Sequence, residues 1–313
     1  METRKLGKAG PAVSIIGLGC NNFGGRIDLE ASRQVVHKAL DAGITLFDTA
    51  DVYGEDCGSE KALGKILGPR RKDIVLATKF GMPIQKGGKL DASRGYVVSA
   101  VEASLKRLNT DWIDLYQLHR PDPATPIEET LRALDDLVRQ GKVRYIGCSN
   151  LPAAQVAEAE ETSKRLGISA FVSCQDEYSL VVRDIERELI PTIEKYGMGL
   201  LPFFPLASGL LSGKYRRDQK PEKGTRLSYM QNHADKYMTA ANWAKVEKLR
   251  GFADARGHSL LDLAFAWLLS RPTLASVIAG ATKPEQVEAN VHAAGWTLTL
   301  AEIRQIDDIT AVA

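Results

Sequence analysis

The chain has 313 residues, of which 44% are hydrophobic and 26% charged, a balance that excludes a disordered or fibrous protein and supplies a large core. Lys plus Arg is 41 against 39 Asp plus Glu, so the net charge is +2, and no basic block offers a footprint for nucleic acid or an anionic membrane. The length allows either two domains of about 150 residues or a single α/β barrel. No linker, low-complexity tract or composition shift divides the chain, so one domain over 1–313 is expected. The longest uncharged stretch, Tyr196 to Gly213, contains Pro202, Pro205 and Gly209 and does not read as a membrane span. METRKLGKAG at the N-terminus lacks the apolar core of an export signal. Cys20, Cys57, Cys148 and Cys174 form no C-x-x-C pair. A reduced, cytoplasmic protein without a structural zinc site is therefore expected.

In chain order, Thr3 to Val13 reads as a small β-hairpin, with Gly7 and Gly10-Pro11 as its turn residues. Eight short β-branched or apolar runs follow, beginning at Val13 (VSIIG), Ile44 (ITLFD), Ile74 (IVLAT), Ile113 (IDLYQL), Val143 (VRYIG), Ala170 (AFVSC), Met198 (MGLLP) and Ala275 (ASVIAG). They are too short for helices, and all but the last are spaced by 27 to 39 residues, the span of one strand–helix unit. Between them lie helical signals. Ala31–Leu40 ends at Gly43, and Thr125-Pro126-Ile127-Glu128 has capping-box spacing before Leu131, Leu134 and Val138, with Gly141 as the stop. Pro152 opens a helix running to Leu166-Gly167, and Ser259–Leu269 and Pro284–Ala293 supply the late helices. Strand alternating with helix predicts parallel strands joined by right-handed crossovers. Eight such units predict an α/β fold, a closed (β/α)8 TIM barrel whose bottom the N-terminal hairpin closes, with a doubly wound sheet as the competing architecture. A long polar segment after the seventh strand, Ser212 to about Met238, has little periodicity and reads as a loop over a binding site.

In such a barrel, chemistry gathers at the C-terminal strand ends. Those ends carry Gly19, then Asp48 with Tyr53, then Lys79, then His119, followed by Ser149-Asn150, Gln175, Phe203 and Gly280–Lys283. Each of the first four alone has a structural explanation: a cap, a loop aromatic, a solvated cation, a satisfied imidazole. Together on one rim they suit carbonyl reduction. Hydride addition puts negative charge on the oxygen, which then needs a proton donor. Tyr53 can serve, its acidity raised by Lys79, which Asp48 keeps charged, while His119 orients the oxygen. Competing motifs are absent: GLGCNNFGG is not G-x-G-x-x-G, there is no P-loop, GCSNL lacks the last glycine of a nucleophile elbow, and no metal-ligand spacing occurs.

FDTADVYG (Phe47–Gly54), ATKFG (Ala77–Gly81), DLYQLHRPD (Asp114–Asp122), GKVRYIGCSN (Gly141–Asn150), CQDEYSL (Cys174–Leu180), PLASGLLSGKY (Pro205–Tyr215) and GATKPEQVEAN (Gly280–Asn290) are the most specific segments. In this order they resemble the aldo-keto reductases over nearly the whole chain, especially the branch holding bacterial reductases and the potassium-channel β subunits. The resemblance implies an oxidoreductase that reduces an aldehyde or ketone reversibly, with Tyr53 as general acid and Asp48, Lys79 and His119 completing a tetrad. Tyr53 and His119 would meet the small-molecule carbonyl substrate. A nicotinamide cofactor is implied, NADPH in preference to NADH, without a metal. Gly19, Cys20, Asn21 and Asp48 would border it, and Ser149, Asn150 and Gln175 would hold its carboxamide. Phe203 would stack on the ring, or else pack in the core beside Phe204.

Further along, Phe204, Pro205, Leu206, Ser208 and Gly209 would meet the pyrophosphate with Lys214 and Arg226. Gly280, Thr282, Lys283, Gln286 and Asn290 would surround the adenosine end. Lys283 and Arg226 would supply cations for a 2′-phosphate. The chain departs from some relatives in carrying Gly280 and Gln286 where they have a lysine and an arginine, and Ala289 in place of an acidic residue. Two other readings compete. A cofactor-binding redox-sensing subunit with little turnover is opposed by His119, which channel β subunits replace. A Schiff-base lyase would use Lys79, which Asp48 should keep protonated and unreactive. Trp112 reads as structural, and Arg120 faces an anionic substrate or pairs with Asp122. Substrate identity and oligomeric state are not encoded in any of these segments.

Overall fold

The computed structural model describes residues 1–85 and 87–311. Strands β1 (Thr3–Lys5) and β2 (Ala12–Ser14) form an antiparallel hairpin. Eight parallel strands follow: β3 (Ile16–Gly19), β4 (Leu46–Asp48), β5 (Val75–Phe80), β6 (Ile113–Leu118), β7 (Val143–Ser149), β8 (Phe171–Glu177), β9 (Gly199–Phe203) and β10 (Val277–Gly280). They are hydrogen-bonded in the order β10-β3-β4-β5-β6-β7-β8-β9. Next to β10, Leu200 N–H donates to Thr273 O at 2.8 Å and Ala275 N–H to Leu200 O at 3.0 Å. The sheet therefore closes on itself, a (β/α)8 TIM barrel, and the open doubly wound alternative is excluded.

All eight predicted runs supply barrel strands, with one boundary corrected. VSIIG is not continuous: Val13 and Ser14 belong to β2, and the barrel strand starts at Ile16. The break has a cause in the serine, whose hydroxyl turns back to donate to Ile16 O at 2.6 Å and also accepts from Thr45 N–H at 2.9 Å.

Helices α1 (Leu29–Asp41), α2 (Gly58–Ile66), α3 (Arg94–Leu108), α4 (Ile127–Arg139), α5 (Ala153–Leu166) and α6 (Leu189–Tyr196) cover the outside of the strands. After β9 come α7 (Arg226–Tyr229), α8 (Gln231–Tyr237), α9 (Ala240–Asp254) and α10 (Leu260–Leu269), and after β10 come α11 (Pro284–Ala293) and α12 (Leu300–Thr310). The long polar segment thus contains two short helices, α7 and α8. The capping box expected at Thr125 does not form. Pro126 occupies the cap position of α4, and the Thr125 hydroxyl instead donates to Asp122 at 2.7 Å. Ser259 does form one with Asp262 ahead of α10.

The period of two along each strand divides the barrel interior into layers. The lower layer is apolar: Leu46, Ala77, Leu115, Leu201 and Ile278 pack with Leu6 and Val13 of the hairpin, which plugs the bottom. Gly7 lets the hairpin approach, since a Cβ there would lie 2.7 Å from the carbonyl oxygens of Val172 and Gly197. Two residues further along, the same inward positions become Asp48, Lys79 and Gln117, all buried. The polar layer therefore rests on a sealed apolar floor.

The loop after β4, which carries Tyr53, is held against the loop after β3. Glu55 N–H donates to Gly24 O at 2.7 Å, and the backbones of Gly24 and Gly58 touch. Gly24 has φ of +62°, and a Cβ on it would lie 2.4 Å from the Gly58 carbonyl carbon. Gly24→Ala should lower stability by about 1–3 kcal/mol through strain and overpacking. A denaturant midpoint equal to wild type would show that this contact does not tighten the loop.

Candidate active site

Lys79 projects inward from β5 with no solvent exposure. Its Nζ donates to Asp48 Oδ2 at 2.7 Å, to Thr49 O at 2.9 Å and to the Tyr53 hydroxyl at 3.4 Å. Those three acceptors satisfy its three donors. The other Asp48 oxygen, Oδ1, accepts from Gln175 Nε2 at 2.9 Å and Gln117 Nε2 at 3.2 Å. Each partner comes from a different strand end or loop, so the barrel itself fixes their spacing.

Burial disfavours the Lys79 ammonium, but Asp48 and Tyr53 outweigh that effect and hold its pKa above the ordinary lysine value. For Tyr53 the balance runs the other way. Burial raises the phenol more than Lys79 lowers it, and Asp48 adds to the rise, so its pKa lies above the ordinary value. The expectation that Lys79 makes Tyr53 a stronger acid than free tyrosine is thus corrected. The ammonium 3.4 Å away opposes the rise, and desolvation outweighs it. The phenol keeps its proton through neutral pH.

His119 follows β6, and its ring meets Tyr53 edge-on at 5.7 Å between centroids. Burial, helped by Lys79 and Arg120, pushes its pKa down to about 2, so the imidazole is neutral at any working pH. Its Nδ1 is buried without a hydrogen-bond partner among the described residues. Asn150, at φ of +59°, donates to the His119 carbonyl at 3.1 Å and to Ser149 Oγ at 2.9 Å. The side-chain nitrogens of Asn150 and Gln175 are thereby engaged within the protein.

Tyr53, His119 and Asp48 open on a cavity of about 470 Å³ that runs from the barrel mouth to the α11 side. Gly19, Cys20, Asn21, Ser149, Asn150 and Gln175 line it near the barrel mouth. Phe203, Phe204, Pro205, Leu206, Ser208 and Gly209 line the wall after β9. Lys214 and Arg226 reach it from the polar segment, and Gly280, Thr282, Gln286 and Asn290 complete its far end. Lys283 does not line it, being exposed at the start of α11. Both phenylalanines face the cavity, their rings edge-on at 5.3 Å, so Phe203 is not plain core packing.

Phe204, Ala207 and Ser208 have φ of +49°, +46° and +55°, and Gly209 has +99°. Ala207, Ser208 and Gly209 are thus three successive left-handed residues in a tight turn closed by Ala207 N–H to Phe204 O and Gly209 N–H to Leu206 O, both at 2.8 Å. Arg226 crosses over it to Asn22 Oδ1 at 3.0 Å, and Ser208 Oγ meets His233 Nδ1 at 2.6 Å.

Gln117 and Asn22 were not singled out from the sequence. Gln117 had a readable signal: it lies two residues before His119, on the same inward face of β6. Trp112 is structural, its ring held between the guanidiniums of Arg71 and Arg144, each 4.7 Å from a ring centroid.

A family model described as the aldo/keto reductase family matches residues 15–311. The chain belongs to the aldo/keto reductase family. A probable voltage-gated potassium channel subunit beta of Oryza sativa subsp. japonica is 36% identical over 318 residues, covering 100% of this chain and 96% of the relative. The L-glyceraldehyde 3-phosphate reductase of Escherichia coli (strain K12) is 34% identical, over 98% of this chain and 92% of its own. An uncharacterized oxidoreductase of Bacillus subtilis (strain 168) is 35% identical, over 99% and 96% respectively. Oxidoreductases are thus among the relatives of this aldo/keto reductase, and no described helix is long and apolar enough to cross a membrane.

One further buried group in this family member stands out. Asp51, between Asp48 and Tyr53 in the chain, is fully buried, and neither carboxyl oxygen has a hydrogen-bond partner among the described residues. Burial, reinforced by Glu60 and opposed by Arg107, pushes its pKa from 3.8 up to about 7. Between those two values the folded state holds a proton that the unfolded state has released, so stability falls as pH rises through that window. The full cost is on the order of 4 kcal/mol. Asp51→Asn, which carries no charge, should therefore gain on wild type in thermal melts at pH 8 relative to pH 4.5. An equal difference at both pH values would contradict the assignment.

Proposed function

We propose that this aldo/keto reductase reduces an aldehyde or ketone to the alcohol, reversibly, with NADPH as the hydride source and Tyr53 as general acid. The observation that carries the reading is the buried ammonium of Lys79, held by the Asp48 carboxylate at 2.7 Å and facing the Tyr53 hydroxyl at 3.4 Å beneath an open cavity. The cavity's chemistry fits a dinucleotide: a tight backbone turn, Lys214 and Arg226 beside it, and the buried polar side chain of Asn290 at the far end. The bound cofactor would supply the hydride.

The residues divide the remaining work. Tyr53 and His119 position the carbonyl oxygen. His119, neutral, binds it without competing as an acid. Tyr53 gives up its proton as the oxygen gains negative charge, because an alkoxide is far more basic than a phenolate. The phenolate left behind is stabilised by Lys79, an interaction realised only as charge moves. Ser149, Asn150 and Gln175 would orient the nicotinamide end, Phe203 would pack against the ring, and Gly19, Cys20 and Asn21 would border it. Ser208, Gly209, Lys214 and Arg226 hold the phosphates, and Gly280, Thr282, Gln286 and Asn290 the adenosine. Preference for NADPH would rest on Arg226 more than on Lys283, given where each lies.

Similarity to the channel subunits favours a second reading, a cofactor-bound regulatory subunit with slow turnover. A panel of aldehydes, ketones and sugars, including glyceraldehyde 3-phosphate, assayed separately with NADPH and NADH separates the two. Robust turnover with NADPH is expected; slow turnover with every member would favour the regulatory reading. Tyr53→Phe should abolish turnover, by about a thousandfold or more, while NADPH still quenches the protein's fluorescence with similar affinity. Near-wild-type activity in this variant would remove Tyr53 from the mechanism.

A further inference from the structure

The cavity wall has a charge imbalance that the nearly neutral chain as a whole does not. Among the described residues four cations line it, Arg26, Lys214, Arg226 and Arg120, against a single carboxylate, Asp48, which Lys79 already neutralises. Lys214 and Arg226 belong to the polar segment after β9, and Arg26, from the loop after β3, is tied to it. Arg26 donates to Gly224 O at 2.8 Å and lies over the Tyr229 ring. Arg226 bonds Asn22, and Lys214 sits against Gly209.

Arg120 is different. It is the residue after His119, it is exposed, and it makes no hydrogen bond or ion pair with any described residue. The one acid near it in the chain is otherwise engaged: Asp122 accepts from Ala92 N–H, Ala124 N–H and the Thr125 hydroxyl at 3.0, 2.9 and 2.7 Å. The pairing of Arg120 with Asp122 expected as one alternative is absent. Asp176, at the end of β8, accepts from Glu177 N–H at 2.7 Å and forms no ion pair with Arg120 within 4.0 Å. Val52 and Met82, which also line the cavity, carry no charge. A guanidinium left free beside the reacting centre, with five donors and no acceptor, is matched by a planar or tetrahedral oxyanion.

We infer that Arg120 selects carbonyl substrates bearing an anionic group, carboxylate or phosphate, a few bonds from the carbonyl carbon. The inference rests on the reductase reading above and extends it to substrate class. The anion takes no part in the bond changes: hydride adds to the carbonyl carbon, the C=O π pair moves to oxygen, and Tyr53 supplies the proton. Arg120 fixes which end of the molecule faces Tyr53.

The test compares matched pairs, 4-oxobutanoate with butanal and glycolaldehyde phosphate with glycolaldehyde, by kcat/KM with NADPH. Wild type should favour the anionic member of at least one pair by about tenfold, the worth of one charged hydrogen bond. Which pair responds identifies the anion. Arg120→Gln should bring that ratio close to one, Arg120→Lys should retain part of it, and added salt should shrink it in wild type. Arg120 holds no other part of the fold, so its replacement should leave the chain folded. A ratio near one for both pairs in wild type, or a preference unchanged in Arg120→Gln, would overturn the inference while leaving the reductase reading intact. If no aldehyde turns over, the reductase reading fails instead. Calorimetric binding of 4-oxobutanoate and of glycolaldehyde phosphate to the NADPH-loaded chain then decides: binding lost in Arg120→Gln supports the site, and binding absent or insensitive to the change overturns it.

Discussion

An ammonium group with no access to water sits at the centre of this barrel, and most of the surrounding arrangement exists to keep it charged. Moving Lys79 and Asp48 out of water costs several kcal/mol for each ion, which their attraction repays only if every remaining donor and acceptor is also matched. Here they are. Thr49 and Tyr53 take the other two protons of Lys79, while Gln117 and Gln175 donate to the second oxygen of Asp48. Removing either member of the pair would strand the other as a buried charge. Gln175, at the cavity wall, and Gln117, buried behind it, therefore belong to the site's electrostatics together with Tyr53 and His119.

The barrel supplies this arrangement by alternation. Inward positions two residues apart place Leu46 below Asp48, Ala77 below Lys79 and Leu115 below Gln117. The apolar layer and the hairpin plug exclude water from beneath, and the cavity admits ligands only from above. The same enclosure explains why Tyr53 keeps its proton and His119 stays neutral. Desolvation penalises tyrosinate and imidazolium alike, so both residues enter a reaction uncharged. Opposite them, the turn after β9, with Phe204, Ala207, Ser208 and Gly209 at positive φ, and Arg226 of the polar segment form a second wall of a different kind, made of backbone and long cationic side chains. Strained residues of this sort persist where the surrounding structure holds them, and they concentrate at ligand sites.

Much of this was legible in the chain. The strand runs were short, β-branched and evenly spaced, and their C-terminal ends carried Asp48, Lys79 and His119, so both the barrel and the convergence of these groups could be read. What could not be read depended on three-dimensional competition. VSIIG looked like one strand because its hydroxyl has no visible preference for turning back on Ile16. Thr125 had the spacing of a capping box, but Pro126 and Asp122 claimed the positions it needed. The direction of the Tyr53 shift depends on how much water the fold removes, which the identity of a neighbouring lysine does not reveal. Lys283 reads as a phosphate ligand from its place in the motif, but its exposed position at the start of α11, outside the cavity lining, depends on the fold.

The relation between Lys79 and Tyr53 can be measured directly by labelling tyrosine with ¹³C at Cζ and following the Tyr53 resonance against pH. The comparison is wild type with the Asp48→Asn/Lys79→Met double variant, which removes both charges together and leaves no stranded ion. The account predicts that wild-type Tyr53 ionises only above the ordinary phenol value of about 10, and at a still higher pH once the pair is gone. Ionisation at or below that value in wild type, or no upward movement in the double variant, would contradict it.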